Sequence, residues 1–223
     1  MEHSLVSIDA IRSDPTIQNL IKVADDHLNA QGYTEHGHRH ASLVSHIAEN
    51  ILSRLGHVPR TAELAAIAGY LHDIGNVVNR QDHATAGACI AMDLLLKLGM
   101  APDEVGIVVG AIGNHEERVG EPVSAVSAAV IIADKSDVHR TRVRNPNPAA
   151  FDIHDRVNDA GQHSFVRIDP ERRLISLELT IDVSKASVVD YFEIFLTRML
   201  FIRKSAQFLG SSFQLFINKT QML

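Results

Sequence analysis

Four apolar helical patterns in this chain end in, or carry inward, a group that binds cations. His40 lies on the apolar stripe of one, and Tyr70-Leu71-His72-Asp73-Ile74-Gly75 closes a second. Gly113-Asn114-His115-Glu116 follows a third, and Ala129-Val130-Ile131-Ile132-Ala133-Asp134 is an almost wholly apolar run closed by a carboxylate. Imidazole and carboxylate are costly to bury unpaired, and a divalent cation satisfies both together. Neighbouring helical residues point about 100° apart. His72 and Asp73 can therefore share a cation beyond the helix end, but not one on its flank. His40, His72, Asp73 and Asp134 make one set of nitrogen and oxygen ligands. His83, first in its own helix, and His115 could hold a second ion with Asp73 as the bridge. Such donors suit Mn, Fe, Co, Ni or Zn better than Ca, so the expected cofactor is one or two divalent transition metals.

These residues need elements to carry them. Asp14 before Pro15 caps a helix in which Ile17, Leu20, Ile21, Ala24 and Leu28 recur at three and four until Gly32. A second helix is expected from about Glu35 to Leu55, with His36, His40, Leu43, Val44, Ile47 and Ile51 on one face and Gly56 as its stop. A third runs from Pro59 to Gly75, and a fourth, capped by Asp82, from His83 to Leu98. A fifth spans Pro102 to Asn114 and a sixth Val123 to about Val138. Short loops between them imply an orthogonal or bundle-like α domain.

Asn145-Pro146-Asn147-Pro148 breaks the pattern and sets a boundary between a helical metal-binding domain, residues 1–144, and an α+β extension, residues 145–223. Partial alternation on either side of Asp169-Pro170-Glu171-Arg172 predicts a hairpin, followed by a helix from about Ser187 to Leu209 and a third strand within Ser212 to Lys219. The fold class is thus mainly α with a small α+β C-terminal extension. The long helix carries Val188, Val189, Phe192, Phe195, Leu196, Met199, Leu200 and Phe201, more apolar surface than one hairpin covers. It either packs back on the helical domain, shaping the mouth of the site, or pairs with its copy in a second chain. A homodimer is the expectation.

Composition narrows the function. Lys plus Arg number 21 against 27 for Asp plus Glu, a net charge of −6, which lacks the basic excess of a large nucleic-acid footprint. The one cysteine, Cys89, cannot form an internal disulfide, and no apolar run approaches the roughly 20 residues that span a bilayer. The beginning MEHSLVSIDA has neither the basic nor the apolar region of a secretion signal, so a cytoplasmic location is expected. Histidine is abundant, with 13 against 3 Tyr and no Trp, which fits a metal-binding role.

A lone His on a helix, then His-Asp-Ile-Gly, an intervening His, Asn-His-Glu and finally Ala-Asp resembles the HD superfamily of metal-dependent phosphohydrolases from about Tyr33 to Val143. The resemblance implies an all-α core and maps the mononuclear ligand set onto His40, His72, Asp73 and Asp134. His83 and His115 correspond to the histidines that dinuclear members add, and His83 followed four residues later by Gly87 is similar to that type. The cyclic-dinucleotide phosphodiesterases of the superfamily carry His-His-Glu where this chain has Asn114-His115-Glu116, and a Gly-Tyr-Pro motif where it has Arg118-Val119-Gly120-Glu121-Pro122. That branch is disfavoured. Bacterial dinucleoside tetraphosphate hydrolases share the ligand order but do not usually carry so long an extension.

The implied activity is hydrolysis of a phosphate ester or anhydride, with a nucleotide-like small molecule as substrate. Bound cations would activate a water, with Asp73 as shared ligand. A phosphoryl group also needs positive charge, and Lys135, beside Asp134, and Arg118, three residues past His115, are the candidates, with Arg39 behind them. Asp137, near Asp134 in the same helix, is placed to orient a ligand histidine or contact substrate. His36 and His38 are read as outer groups. His46, His57, His139, His154 and His163, and the alternating Arg140, Arg142 and Arg144, are read as surface. Two other functions fit the same ligands: a mixed-valence di-iron oxygenase of the superfamily, or a non-catalytic signalling module.

Overall fold

Two helices apolar on every side form the centre of the fold in the computed structural model, which describes residues 5–223. They are α4 (Pro59–Leu71) and α7 (Ala125–Lys135), both rich in alanine and buried along nearly their whole length. Small side chains allow close approach of their neighbours, and helices without a polar face belong inside. The candidate ligands lie at their C-terminal ends. Around them stand α1 (Ile8–Ser13), α2 (Pro15–Ala30), α3 (His38–Arg54), α5 (His83–Lys97) and α6 (Pro102–Gly113). Ile67 and Leu71 of α4 are fully enclosed, and truncating either to Ala costs ~2–5 kcal/mol.

The helical part follows the pattern of the sequence with corrections at its ends. α4 stops at Leu71 rather than Gly75: His72 is its C-cap and Asp73 has left the helix, with a one-turn 3-10 segment, Ile74–Val77, after it. α3 starts at His38, because the carboxylate of Glu35 takes the amides of Gly37 and His40 from outside the helix. Asp82 precedes α5 without capping it through its side chain. Its backbone is left-handed, φ 58°, a conformation that Asp tolerates better than most residues. α1 is an element the apolar spacing did not indicate.

Beyond the 3-10 turns at Arg140–Arg142 and Pro148–Ala150, the chain forms α8 (Ile153–Ala160), β1 (Gly161–Asp169), β2 (Leu174–Ile181), α9 (Val188–Phe208), β3 (Ser212–Ile217) and β4 (Thr220–Gln221). The sheet order is β1-β2-β3-β4. β1 and β2 form the expected antiparallel hairpin, while β3 lies parallel to β2, the crossover being α9. β4 adds a short antiparallel edge.

α9 packs on α7, α8 and β3. The helix packs back on the helical part, burying Tyr191, Phe195, Met199 and Ile202 in a core continuous with it. Val189, Leu196, Leu200 and Phe208 stay outside. Among the described residues no helix is long and apolar enough to cross a membrane.

Candidate metal centre

Three helices end at one place. α4 delivers His72 and Asp73 just past its last residue, α6 delivers His115 after its C-cap Asn114, and α7 carries Asp134 one residue from its end. Helix C-termini bear partial negative charge, so their convergence with two carboxylates favours a cation. The first turns of α3 and α5 add His40 and His83. Gly75 permits this meeting. A Cβ there would stand 2.0 Å from the carbonyl oxygen of His83 and 2.4 Å from the amide of Gly87, so only glycine lets the His72-Asp73 turn touch the start of α5.

The imidazoles of His40, His72, His83 and His115 are buried, and each is anchored through Nδ1. His72 donates to the carbonyl of Gly69 at 2.8 Å, His83 to that of Arg80 at 3.0 Å and His115 to that of Ile112 at 2.6 Å, in each case three residues back. His40 donates to Asp137 Oδ2 at 2.7 Å. Carbonyl and carboxylate oxygens only accept, so the proton sits on Nδ1 and the Nε2 lone pair faces inward, as in metal-ligating histidines.

The inward nitrogens come in pairs. His40 and His72 bring Nε2 atoms to 3.2 Å, and His83 and His115 to 3.1 Å. Facing lone pairs repel unless something positive lies between them. Two nitrogens bound at ~2.1 Å to one cation, with angles from square to tetrahedral, stand ~3.0–3.4 Å apart, which matches both pairs. Asp134 Oδ1 lies 3.3 Å from His40 Nε2 and 3.6 Å from His72 Nε2. Asp73 turns Oδ2 toward His72 (3.3 Å) and His40 (3.8 Å), and Oδ1 toward His83 (3.3 Å) and His115 (3.7 Å). The ligand atoms of His40, His72 and Asp134 all fall within 4.8 Å of one another, as do those of His72, Asp73 and His115. The donors present fit divalent transition-metal ions.

Burial opposes the charge on His72, but the carboxylates of Asp73 and Asp134 outweigh it and push its pKa up to about 10. Burial also opposes ionisation of those carboxylates. The imidazoles, His72 foremost, hold Asp73 well below the usual range, and Lys135 with His40 and His72 does the same for Asp134. For His115 burial prevails over Asp73 and its pKa falls. Without a cation a proton therefore stands in for positive charge at His72, and metal binding would release it.

The expected phosphate contacts fare unequally. Lys135 is at the site, but its ammonium lies 2.8 Å from Asp134 Oδ2 and 2.6 Å from Glu117 Oε2, so it is taken up by two carboxylates, one of them a candidate ligand. Arg118 is exposed and joins none of the ion pairs of the cluster among the described residues. Arg39 is held by Glu35 and by Asp137. Asp137 accepts from Nδ1 of the candidate ligand His40. His36 packs its ring edge-on to His40, with centroids 5.5 Å apart, and His38 sits 3.4 Å from the Tyr70 hydroxyl.

Arg142 corrects the surface reading of its stripe. It is buried, donating to the carbonyls of Asp137 and Glu35, because the alternation falls on a 3-10 turn folded against the start of α3. Sequence reasoning also missed Asn76, Arg80 and Glu117. Asn76 donates to Asp73 Oδ1 at 2.9 Å and accepts from Arg80 at 3.2 Å. The Arg80 guanidinium stands 3.7 Å from Asp73 Oδ1 and over the ring of Tyr33, 5.7 Å from its centroid. Only Asn76 and Glu117 flank a motif closely enough to have drawn notice. A concavity of about 540 Å³ between α3 and β1, lined by Leu43, Ile47, Phe165 and Val166, lies apart from these residues.

Comparison with known proteins agrees with this geometry. Residues 37–140 match the HD domain family. That match lies within the helical core and takes in all six candidate ligands. It supports membership of the HD superfamily. It is 29% identical over 146 residues to the uncharacterized protein MJ1020 of Methanocaldococcus jannaschii, covering 55% of this chain and 56% of that one. It is 33% identical over 121 residues to ribonuclease Y of Opitutus terrae, covering 54% of this chain and 21% of that one. For ribonuclease Y of Staphylococcus epidermidis the figures are 28% over 126 residues, 56% and 22%. The matched HD region thus spans about half the length of the first relative and about a fifth of the ribonucleases. A crystal structure of a predicted HD superfamily hydrolase from an uncultured Thermotogales bacterium aligns over 59% of this chain and 73% of that one, with 25% identity and a TM-score of 0.43.

Proposed function

We propose that this HD domain is a phosphohydrolase with two divalent transition-metal ions, one held by His40, His72 and Asp134, the other by His83 and His115, with Asp73 between them. The observation that carries the reading is the division of Asp73, whose two oxygens face two different imidazole pairs. When bound, such ions supply an activated water and polarise a phosphoryl oxygen.

The chain's own residues do the positioning. The Nδ1 anchors fix four ring planes, Asn76 holds the Asp73 carboxylate in its bridging orientation, and Lys135 keeps Asp134 turned toward His40. Arg80 takes the part expected of Lys135 and Arg118. Among the described residues it meets no carboxylate closer than 3.7 Å, so its guanidinium can donate to a phosphoryl oxygen lying beside Asp73. The half-exposed ring of Tyr33, next to it, offers a flat surface to an organic group. A small phosphorylated molecule, nucleotide-like, suits that arrangement, and the net charge of −6 lacks the basic excess of a large nucleic-acid footprint.

The likeness to two ribonuclease Y chains supports a second reading, cleavage of a phosphodiester in RNA. One screen separates them. The chain is loaded with Mn, Co or Mg and offered an aryl phosphate, a bis-aryl phosphate, nucleotides, dinucleoside polyphosphates and a short RNA. Metal-dependent turnover of a small phosphate compound is expected. Turnover of RNA alone selects the second reading, and no turnover of any substrate by metal-loaded protein overturns both.

A further inference from the structure

Asp134 serves as a ligand in this reading while the C-terminal extension stands idle, yet a line of charges, enclosed at Asp134 and 24% exposed at Arg198, joins the two. Arg198, on α9, places Nε 3.3 Å from Glu117 Oε1. The other oxygen of Glu117 lies 2.6 Å from Lys135 Nζ, and Lys135 Nζ lies 2.8 Å from Asp134 Oδ2. The remaining oxygen of Asp134 faces His40 and His72. Each carboxylate in the line uses one oxygen on either side, and the side chains of Lys135, Asp134 and Glu117 are only 7%, 12% and 15% exposed.

We infer that α9 positions the metal centre, Arg198 acting through Glu117 and Lys135 to hold Asp134 in its ligand orientation. This rests on the reading of Asp134 as a ligand. The charge count supplies the reason. Lys135 alone sits between two carboxylates, and an enclosed surplus of negative charge is costly. Arg198 balances it. With Arg198 present, Lys135 need not move toward Glu117 and stays on Asp134.

The rest of α9 makes Arg198 a rigid support. Its guanidinium lies over the ring of Phe195, 4.8 Å from the centroid, and Phe195 is buried in the common core. One and a half turns on, Lys204 of the same helix pairs with Glu121, so α9 clasps both ends of the segment that follows His115. Arg198 touches no ligand atom. It is a positioning residue, and the extension is part of the centre rather than an appendage.

The test uses the full chain and cobalt. Wild type and Arg198→Met, which keeps the stem over Phe195, are compared for cobalt affinity by chelator competition, for visible absorption of the bound cobalt, and for metal-free melting. Affinity in the variant should fall by ~10-fold or more with an altered absorption band, and Arg198→Lys should restore most of it. In a Glu117→Gln background Arg198→Met should add nothing, since the line is already cut. Wild-type affinity and spectrum in Arg198→Met, or additive losses in the double variant, overturn the inference. If Arg198→Met does not fold, Glu117→Gln alone decides: it must show the same ~10-fold loss, and unchanged affinity rejects the relay. Wild-type protein that binds no cobalt would instead overturn the metal centre itself.

Discussion

The two halves of the centre carry the same pair of inward imidazoles and are braced by different means. On one side Asp137 supports His40 and is itself gripped by Arg39 at 2.8 Å, while Lys135 backs Asp134. On the other, His83 and His115 lean on main-chain carbonyls, and Asp73 is their shared carboxylate, with Glu116 standing 3.8 Å from His83. A carboxylate behind an imidazole makes it a more basic ligand than a carbonyl does, and fixes it as firmly. The His40 half is therefore expected to be the tighter site and the His83 half the one that fills last and empties first.

Removing what the halves share is the largest perturbation. Asp73→Ala should bring turnover to background and lose metal from both positions, while the metal-free melt stays close to wild type, since the role proposed for Asp73 is ligation at a helix end and not packing. Circular dichroism beside a turnover assay checks this, and wild-type turnover would remove Asp73 from the mechanism.

Replacing His83 or His115 by Ala acts on one half. Elemental analysis should find one ion fewer per chain with the His40 position still filled. Joint loss of both ions would mean that the halves are not separable. The converse is milder: Asp137→Asn keeps all ligands but weakens the brace, and should cost ~10–100-fold in affinity at the tighter site alone, read by stepwise metal titration. Arg80→Ala should leave metal content unchanged and lower kcat/KM by ~10–100-fold, the worth of a charged hydrogen bond of ~1.5–3 kcal/mol. A change in metal occupancy there would place Arg80 among the supports of the centre.

The ligands were legible because burial makes polar residues conspicuous. A histidine or carboxylate closing an apolar helical run, as in the stretches before His72 and Asp134, has no reason to be there without a partner, and 3.6-residue spacing reveals the run. The supporting residues were not legible because their partners are remote in sequence. Arg142 meets Glu35 across 107 positions and Arg198 meets Glu117 across 81. Local spacing carries no trace of such pairs, so Arg142 read as surface and the contact of α9 with the segment after His115 went unread. The helix end at Leu71 escaped for another cause: Ile74 and Gly75 continue the apolar spacing while the backbone has already turned to deliver Asp73. The elements α1 and α8, 6 and 8 residues long, are too short to show a period.

The central claim is a centre of two unequal halves bridged by Asp73, and metal stoichiometry tests it most directly. The full chain, purified without a histidine tag, is stripped, reconstituted with Mn or Co, and titrated back with a chelator while bound metal is counted. The account predicts about two equivalents per chain leaving in two steps, the first step absent in His83→Ala. Binding of less than about a tenth of an equivalent after reconstitution would contradict it.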